Sequence, residues 1–124
     1  MAVQYTLVPI YTTKGDVGAF LSYPYIFDRM GEWIGWVTPD RQVFSVQGSH
    51  VGWLTNEPRV LRKMSADFMS RKVPPPVPPN INIPATVPLA PMMAELTYGI
   101  IDVLDDSPEL LPAIDFGELR EDMD

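Results

Sequence analysis

One short motif occurs three times in succession in the first half of the chain, over Tyr11 to Leu21, Phe27 to Val37 and Phe44 to Leu54, and it leaves few folds open. Laid over one another the copies read TTKGDVGAFL, DRMGEWIGWV and SVQGSHVGWL, each preceded by an aromatic residue. A turn glycine (Gly15, Gly31, Gly48) is followed four residues later by a tiny residue (Ala19, Gly35, Gly52). An aromatic (Phe20, Trp36, Trp53) and an aliphatic (Leu21, Val37, Leu54) come next. The glycines stand 16 and 17 residues apart, a period that fits one β-hairpin per copy.

Apolar and polar residues roughly alternate on both sides of each polar turn, and glycine supplies the positive φ that a tight hairpin needs. Proline punctuates the connections at Tyr23-Pro24, Thr38-Pro39-Asp40 and Asn56-Glu57-Pro58, where a missing amide donor does no harm. A fourth copy is placed by spacing alone. Leu61 follows Phe44 by 17 residues and Ser65 takes the turn-glycine position, but LRKMSADFM has neither the glycines nor the tryptophan. Strict alternation puts Ile34 with Trp36 on one face and Trp33 with Gly35 on the other, with Val51 and Trp53 matching the first pair. One hairpin cannot bury its apolar face alone, so the copies are expected to converge like petals. The small residue would admit a neighbouring backbone, and the aromatic beside it would fill a shared core.

The repeated order of aromatic, turn glycine, small residue, aromatic and aliphatic resembles the small bacterial family described as four-fold β-flower proteins, over about residues 8–70 with looser agreement through Pro91. The proline-rich segment after the repeats is similar to that family's tail. The resemblance implies four hairpin petals about a pseudo-four-fold axis, and it brings no established activity. The expected fold is all-β, tandem hairpins followed by a proline-rich extended arm with one short helix.

Proline and charge divide the chain near Lys72, into a hairpin domain over 1–72, an extended segment over 73–91 and a helix plus acidic tail over 92–124. Fourteen prolines in 124 residues is about twice ordinary usage, and ten of them lie between Pro74 and Pro112. VPPPVPPNINIPATVPLAP has the composition of polyproline II, which spaces two elements or lies along an aromatic groove. Its apolar residues Val77, Ile81, Ile83, Val87 and Leu89 exceed what a solvated spacer needs, so packing on the chain's own β domain or on a partner is expected. Met93, Leu96, Ile100, Val103 and Leu104 recur at helical spacing and predict a helix opened by Pro91. Gly99 weakens it, and Asp102, Asp105 and Asp106 fall at its C-terminal end, against the macrodipole. Beyond it, SPELLPAIDFGELREDMD sets apolar anchors among acids, as in a segment that orders on a partner or a solubilising tail.

Residues 1–72 carry eight basic and six acidic side chains, whereas residues 95–124 carry Arg120 against ten acids, so the net charge of −7 resides in the C-terminal end. That end would be repelled by phosphates and anionic lipid, and no basic footprint for nucleic acid is present. Cysteine is absent, which excludes disulfides and thiolate chemistry. The N-terminus lacks a signal-peptide pattern, and no window approaches the roughly 18 apolar residues of a membrane span. A cytoplasmic protein, soluble or peripherally attached to a membrane complex, is expected.

Catalytic and metal chemistry find little footing. His50 is the one histidine, and its neighbour Ser49 would point to the opposite face of a strand. Asp16, Asp28, Glu32 and Asp40 lack metal-ligand spacing, although Asp28 and Glu32 could meet across a turn. No catalytic residue, metal site or cofactor is expected. Trp33 breaks the repeat, since its counterparts are Val17 and His50, and is the candidate for a ligand platform. The functional expectation is a non-catalytic assembly protein, an accessory subunit docking onto a larger complex through its C-terminal arm. Val87, Leu89, Met93, Leu96, Ile100, Leu104, Leu111, Ile114 and Phe116 would be its anchors, and a second copy is the alternative partner. A peptide- or glycan-binding module using an aromatic surface of the β domain is the competing expectation.

Overall fold

The three predicted turns close in the same way in the computed structural model, which describes residues 7–65 and 71–113. The amides of Thr12, Asp28 and Ser45 donate to the carbonyl four residues on at 2.7, 2.8 and 2.9 Å. The side-chain oxygen of each accepts from that fourth residue's amide, at 3.3, 3.0 and 3.3 Å. The glycine amide donates back to the first residue's carbonyl, with φ of 97°, 83° and 89° at Gly15, Gly31 and Gly48. Short polar side chains are suited to this role because they reach neighbouring backbone groups. Two connections use the same device, Thr38 with Gln42 and Thr55 with Arg59, and Arg41 takes the glycine position at φ 66°.

These turns join β1 (Val8–Tyr11) to β2 (Val17–Ser22), β3 (Tyr25–Phe27) to β4 (Trp33–Val37), and β5 (Gln42–Ser45) to β6 (His50–Leu54). The fourth hairpin pairs β7 (Val60–Lys63) with β8 (Ile100–Asp102), Leu61 opposite Asp102 and Lys63 opposite Ile100. The eight strands of the described residues form one antiparallel meander in chain order. Ile10, Ile26, Val43 and Val60, spaced 16, 17 and 17 residues apart, are all fully buried and bring one aliphatic residue from each petal into a common core.

Each of the first three petals carries a register shift, at Ile10/Tyr11, Ile26/Phe27 and Val43/Phe44. The bulge leaves Gly18, Ile34 and Val51 without a cross-strand partner, and the alternation read from sequence breaks there. Ile34, Val37 and Val51 join the aliphatic core, while Trp33 and Trp36 share a separate cluster with Phe27, Phe44 and Val46. The expectation that Ile34 and Trp36 share a face, with Trp33 opposite, is therefore corrected. Phe27, Trp36 and Phe44 of the repeats thus belong to an outer aromatic cluster and do not fill the aliphatic centre. The tiny residues keep their expected purpose: a Cβ on Gly35 would overlap the carbonyl oxygen of Phe44, and one on Gly52 that of Leu61.

The predicted helix after Pro91 is also corrected. Residues 91–97 are not helical, Gly99 turns the chain at φ 86°, and Ile100–Asp102 enter the sheet. One α-helical turn, α1, spans Val103–Asp106 and is followed by a 3-10 turn at Pro108–Leu110. Asp102 caps α1, accepting from the Asp105 amide at 3.4 Å, so the acids lie in the first turn, where the helix dipole favours them. Val103 and Leu111 are buried in the aliphatic core, with Leu104, Leu110 and Ala113 packed against it.

The ends of the meander are tied by side chains. Asp102, fully buried, accepts from the Thr13 amide and hydroxyl, both at 2.6 Å. Arg59 donates to the same hydroxyl at 3.1 Å and pairs with Glu57 at 2.8 Å. The Tyr11 amide donates to the Pro58 carbonyl at 3.0 Å.

Candidate functional site

The proline-rich segment, here called the strap, lies within the fourth hairpin and runs along the outside of the others. The Lys72 amide donates to the Gly48 carbonyl of petal 3 at 3.0 Å, and the Ile81 amide to the Gly31 carbonyl of petal 2 at 3.1 Å. Tyrosine hydroxyls donate to proline carbonyls, Tyr25 to Pro76 at 3.3 Å and Tyr11 of petal 1 to Pro88 at 2.8 Å. Ile81 packs on the outer aromatic cluster, and the Lys72 ammonium sits 5.8 Å from the Phe44 ring centre. Prolines withhold most of the amides that would extend the sheet, so the contact runs through two non-proline amides, two proline carbonyls and ring faces.

One side of the strap is left open. Val73, Leu89 and Met92 are 91%, 96% and 100% exposed, and Tyr98 is fully exposed. Of the nine anchors expected from sequence, Leu89 is thus exposed, and Val87, Met93 and Leu96 are half-buried. Ile100 pairs with Lys63 in the sheet, Leu104 packs on the aliphatic core and Leu111 is buried within it, so these three serve the chain's own fold. Ile114 and Phe116 lie outside the described residues. Met92 and Tyr98 fall outside the helical spacing of Met93, Leu96, Ile100 and Leu104, so that pattern carries no signal for them.

Trp33 cannot be a surface platform. It is 1% exposed, its indole N–H donates to the Gly35 carbonyl at 2.7 Å, and Tyr25 meets its ring edge-on. Trp53 is the half-buried indole, and it borders a cleft of about 310 Å³ with Gln42, His50, Arg62 and Lys63. His50 Nε2 lies 2.8 Å from Gln42 Oε1, and the imidazole stands edge-on to Phe44. Burial, reinforced by the Arg62 guanidinium, holds the His50 pKa below the usual imidazole value. Ser49 instead accepts from Arg71 at 3.1 Å. The Thr38 hydroxyl bonds the Asp40 carboxylate and lowers its pKa, and Arg59 does the same for Glu57.

A second cleft, of about 430 Å³, opens between petals 1 and 2 and the C-terminal segment, with Val17, Ile34, Leu104 and Leu111 among its walls. Asp28, on its rim, accepts from the Met30 and Glu32 amides at 2.8 and 3.0 Å and so serves the turn. Among the described residues, no group of three His, Asp or Glu could hold a metal ion, and no helix is long and apolar enough to cross a membrane.

The sequence profile of the family described as 4-fold beta flower protein matches residues 8–98. That span runs from β1 through the strap. No curated protein and no solved structure matches the chain.

Proposed function

The chain belongs to the four-fold β-flower family, whose name describes a fold and carries no activity, and from that premise we propose that it is a non-catalytic interaction protein. It would act as an accessory subunit, docking onto a larger complex along the open side of its strap. The observation that carries this reading is the exposure of Val73, Leu89, Met92 and Tyr98 on one connected segment whose other side is held against the sheet. Large apolar side chains left in water on an anchored backbone suit a protein partner, because ordering them on binding costs less than ordering a free chain.

Untagged purification tests the proposal when paired with a surface variant. The wild-type chain is expected in a stoichiometric complex, and Leu89→Asp with Met92→Asp is expected to elute alone with an unchanged unfolding midpoint. A doubly substituted chain that stays in the complex removes the strap from the interface. The second reading, a small peptide- or glycan-binding module, is supported by the cleft beside Trp53, where an indole, an imidazole and a carboxamide converge. Quenching of Trp53 fluorescence by a peptide or oligosaccharide, lost in Gln42→Ala, would favour it.

A further inference from the structure

The underside of the strap and the face beneath it form a second interface, separate from the open side. We propose that the aromatic outer face of petals 1–3 is a polyproline-binding surface, occupied in cis by the chain's own strap, and that on release it takes the strap of a second copy. Polyproline II makes no internal hydrogen bonds and exposes its carbonyls, so a receptor reads it with flat rings and hydroxyl donors. Both are present: Tyr11 and Tyr25 donate to Pro88 and Pro76, and Ile81 lies on the cluster containing Trp36 and Phe44. The receptor is built without the strap. Trp36 and Phe44 sit opposite each other on paired strands, stacked 5.3 Å apart at 18°, and the turns that offer the Gly31 and Gly48 carbonyls are closed by their own hydrogen bonds.

The strap, in turn, is held as a ligand is held. Its two backbone donors to the turns, Lys72 and Ile81, and its two carbonyl acceptors, Pro76 and Pro88, are spread along a segment whose residues are otherwise largely exposed. Both ends are fixed in petal 4, so the cis strap competes at an effective concentration on the order of millimolar. A trans strap therefore binds when the cis one is loosened. The occupant is the strap of a second copy because that sequence already matches the spacing of carbonyls and hydroxyls on this face.

The test uses the full chain and a labelled synthetic peptide of residues 72–91. Ile81→Asp removes the strap's apolar anchor and leaves the strands untouched. Lys72→Pro is the second variant and deletes the amide that reaches Gly48. Circular dichroism checks that each retains the wild-type sheet signal. Either variant is expected to bind the peptide at least ten times more tightly than the wild-type chain. Ile81→Asp, whose face is intact, mixed with a Tyr11→Phe/Tyr25→Phe chain, whose strap is intact but loosened, is expected to form a one-to-one dimer by light scattering as concentration rises. A peptide with Pro74, Pro75, Pro76, Pro78 and Pro79 replaced by alanine is expected to lose binding tenfold. Equal affinity for wild-type and loosened chains, or for proline and alanine peptides, overturns the polyproline surface. Peptide binding without dimer formation in that mixture at any concentration overturns the second copy as its source.

Discussion

A single absent methyl group decides where two strands meet. Gly52 faces the Leu61 carbonyl so closely that a Cβ would displace backbone, whereas a Cβ on Gly18 would meet the side chain of Leu104 at 2.9 Å. Gly52→Ala is therefore expected to cost about 3 kcal/mol and Gly18→Ala about 1 kcal/mol or less, read as shifts in urea midpoint. Gly18, Ile34 and Val51 occupy the same bulge position, and Leu104 fills the place that petal 1 leaves empty. Gly18→Val combined with Leu104→Ala should then be more stable than the sum of the single changes, a coupling that a double-mutant cycle measures. His50 gives a pH signature. Its folded pKa is lowered, so the unfolded chain binds the proton first, and stability is lost as pH falls from about 6.5 through the folded value. His50→Gln should flatten that part of the pH profile. The small residues and their purpose were legible in the sequence. The faces of the tryptophans were not, because a bulge inverts alternation without changing composition.

At the scale of elements, the three local hairpins announce themselves because each turn is written in five adjacent residues. Of the fourth, spacing finds the first strand, since Leu61 lies in β7, but not the second, which lies beyond the strap with Gly99 and not Ser65 as its turn residue. The apolar pattern from Met93 to Leu104 matched a helix by coincidence of period. Gly99 at positive φ and the β-branched pair Ile100-Ile101 decide for a turn and a strand. Asp102 then does two jobs, capping α1 and binding the Thr13 amide and hydroxyl of the first hairpin. Asp102→Ala is expected to cost about 3 kcal/mol, a lost cap plus the unpaired, half-buried amide and hydroxyl of Thr13, in chemical denaturation. The Lys14–Asp105 pair at 3.3 Å, with Lys14 largely exposed, adds little, so Lys14→Ala should change stability by about 0.5 kcal/mol or less.

The whole molecule is layered: aliphatic residues of four petals and the C-terminal segment at the centre, aromatics outside the sheet, and a proline strap outside those. Leu111, far in sequence from the repeats, belongs to the centre, so Leu111→Ala should cost about 2–5 kcal/mol, as for any large-to-small core change. The position of the strap also orders events in time. Petals 1–3 close over a few residues, but β7 reaches β8 across a connection about seven times longer, which adds about 2 kcal/mol of closure entropy. The bond from Asp102 to Thr13 spans 89 residues. The local hairpins should therefore assemble early, and the fourth petal and the seam should lock late, after the rate-limiting step. In that order Asp102 acts as a brake on unfolding. Its removal should speed unfolding while leaving the refolding rate nearly unchanged, so the chain's lifetime in the folded state depends on its last-formed joint.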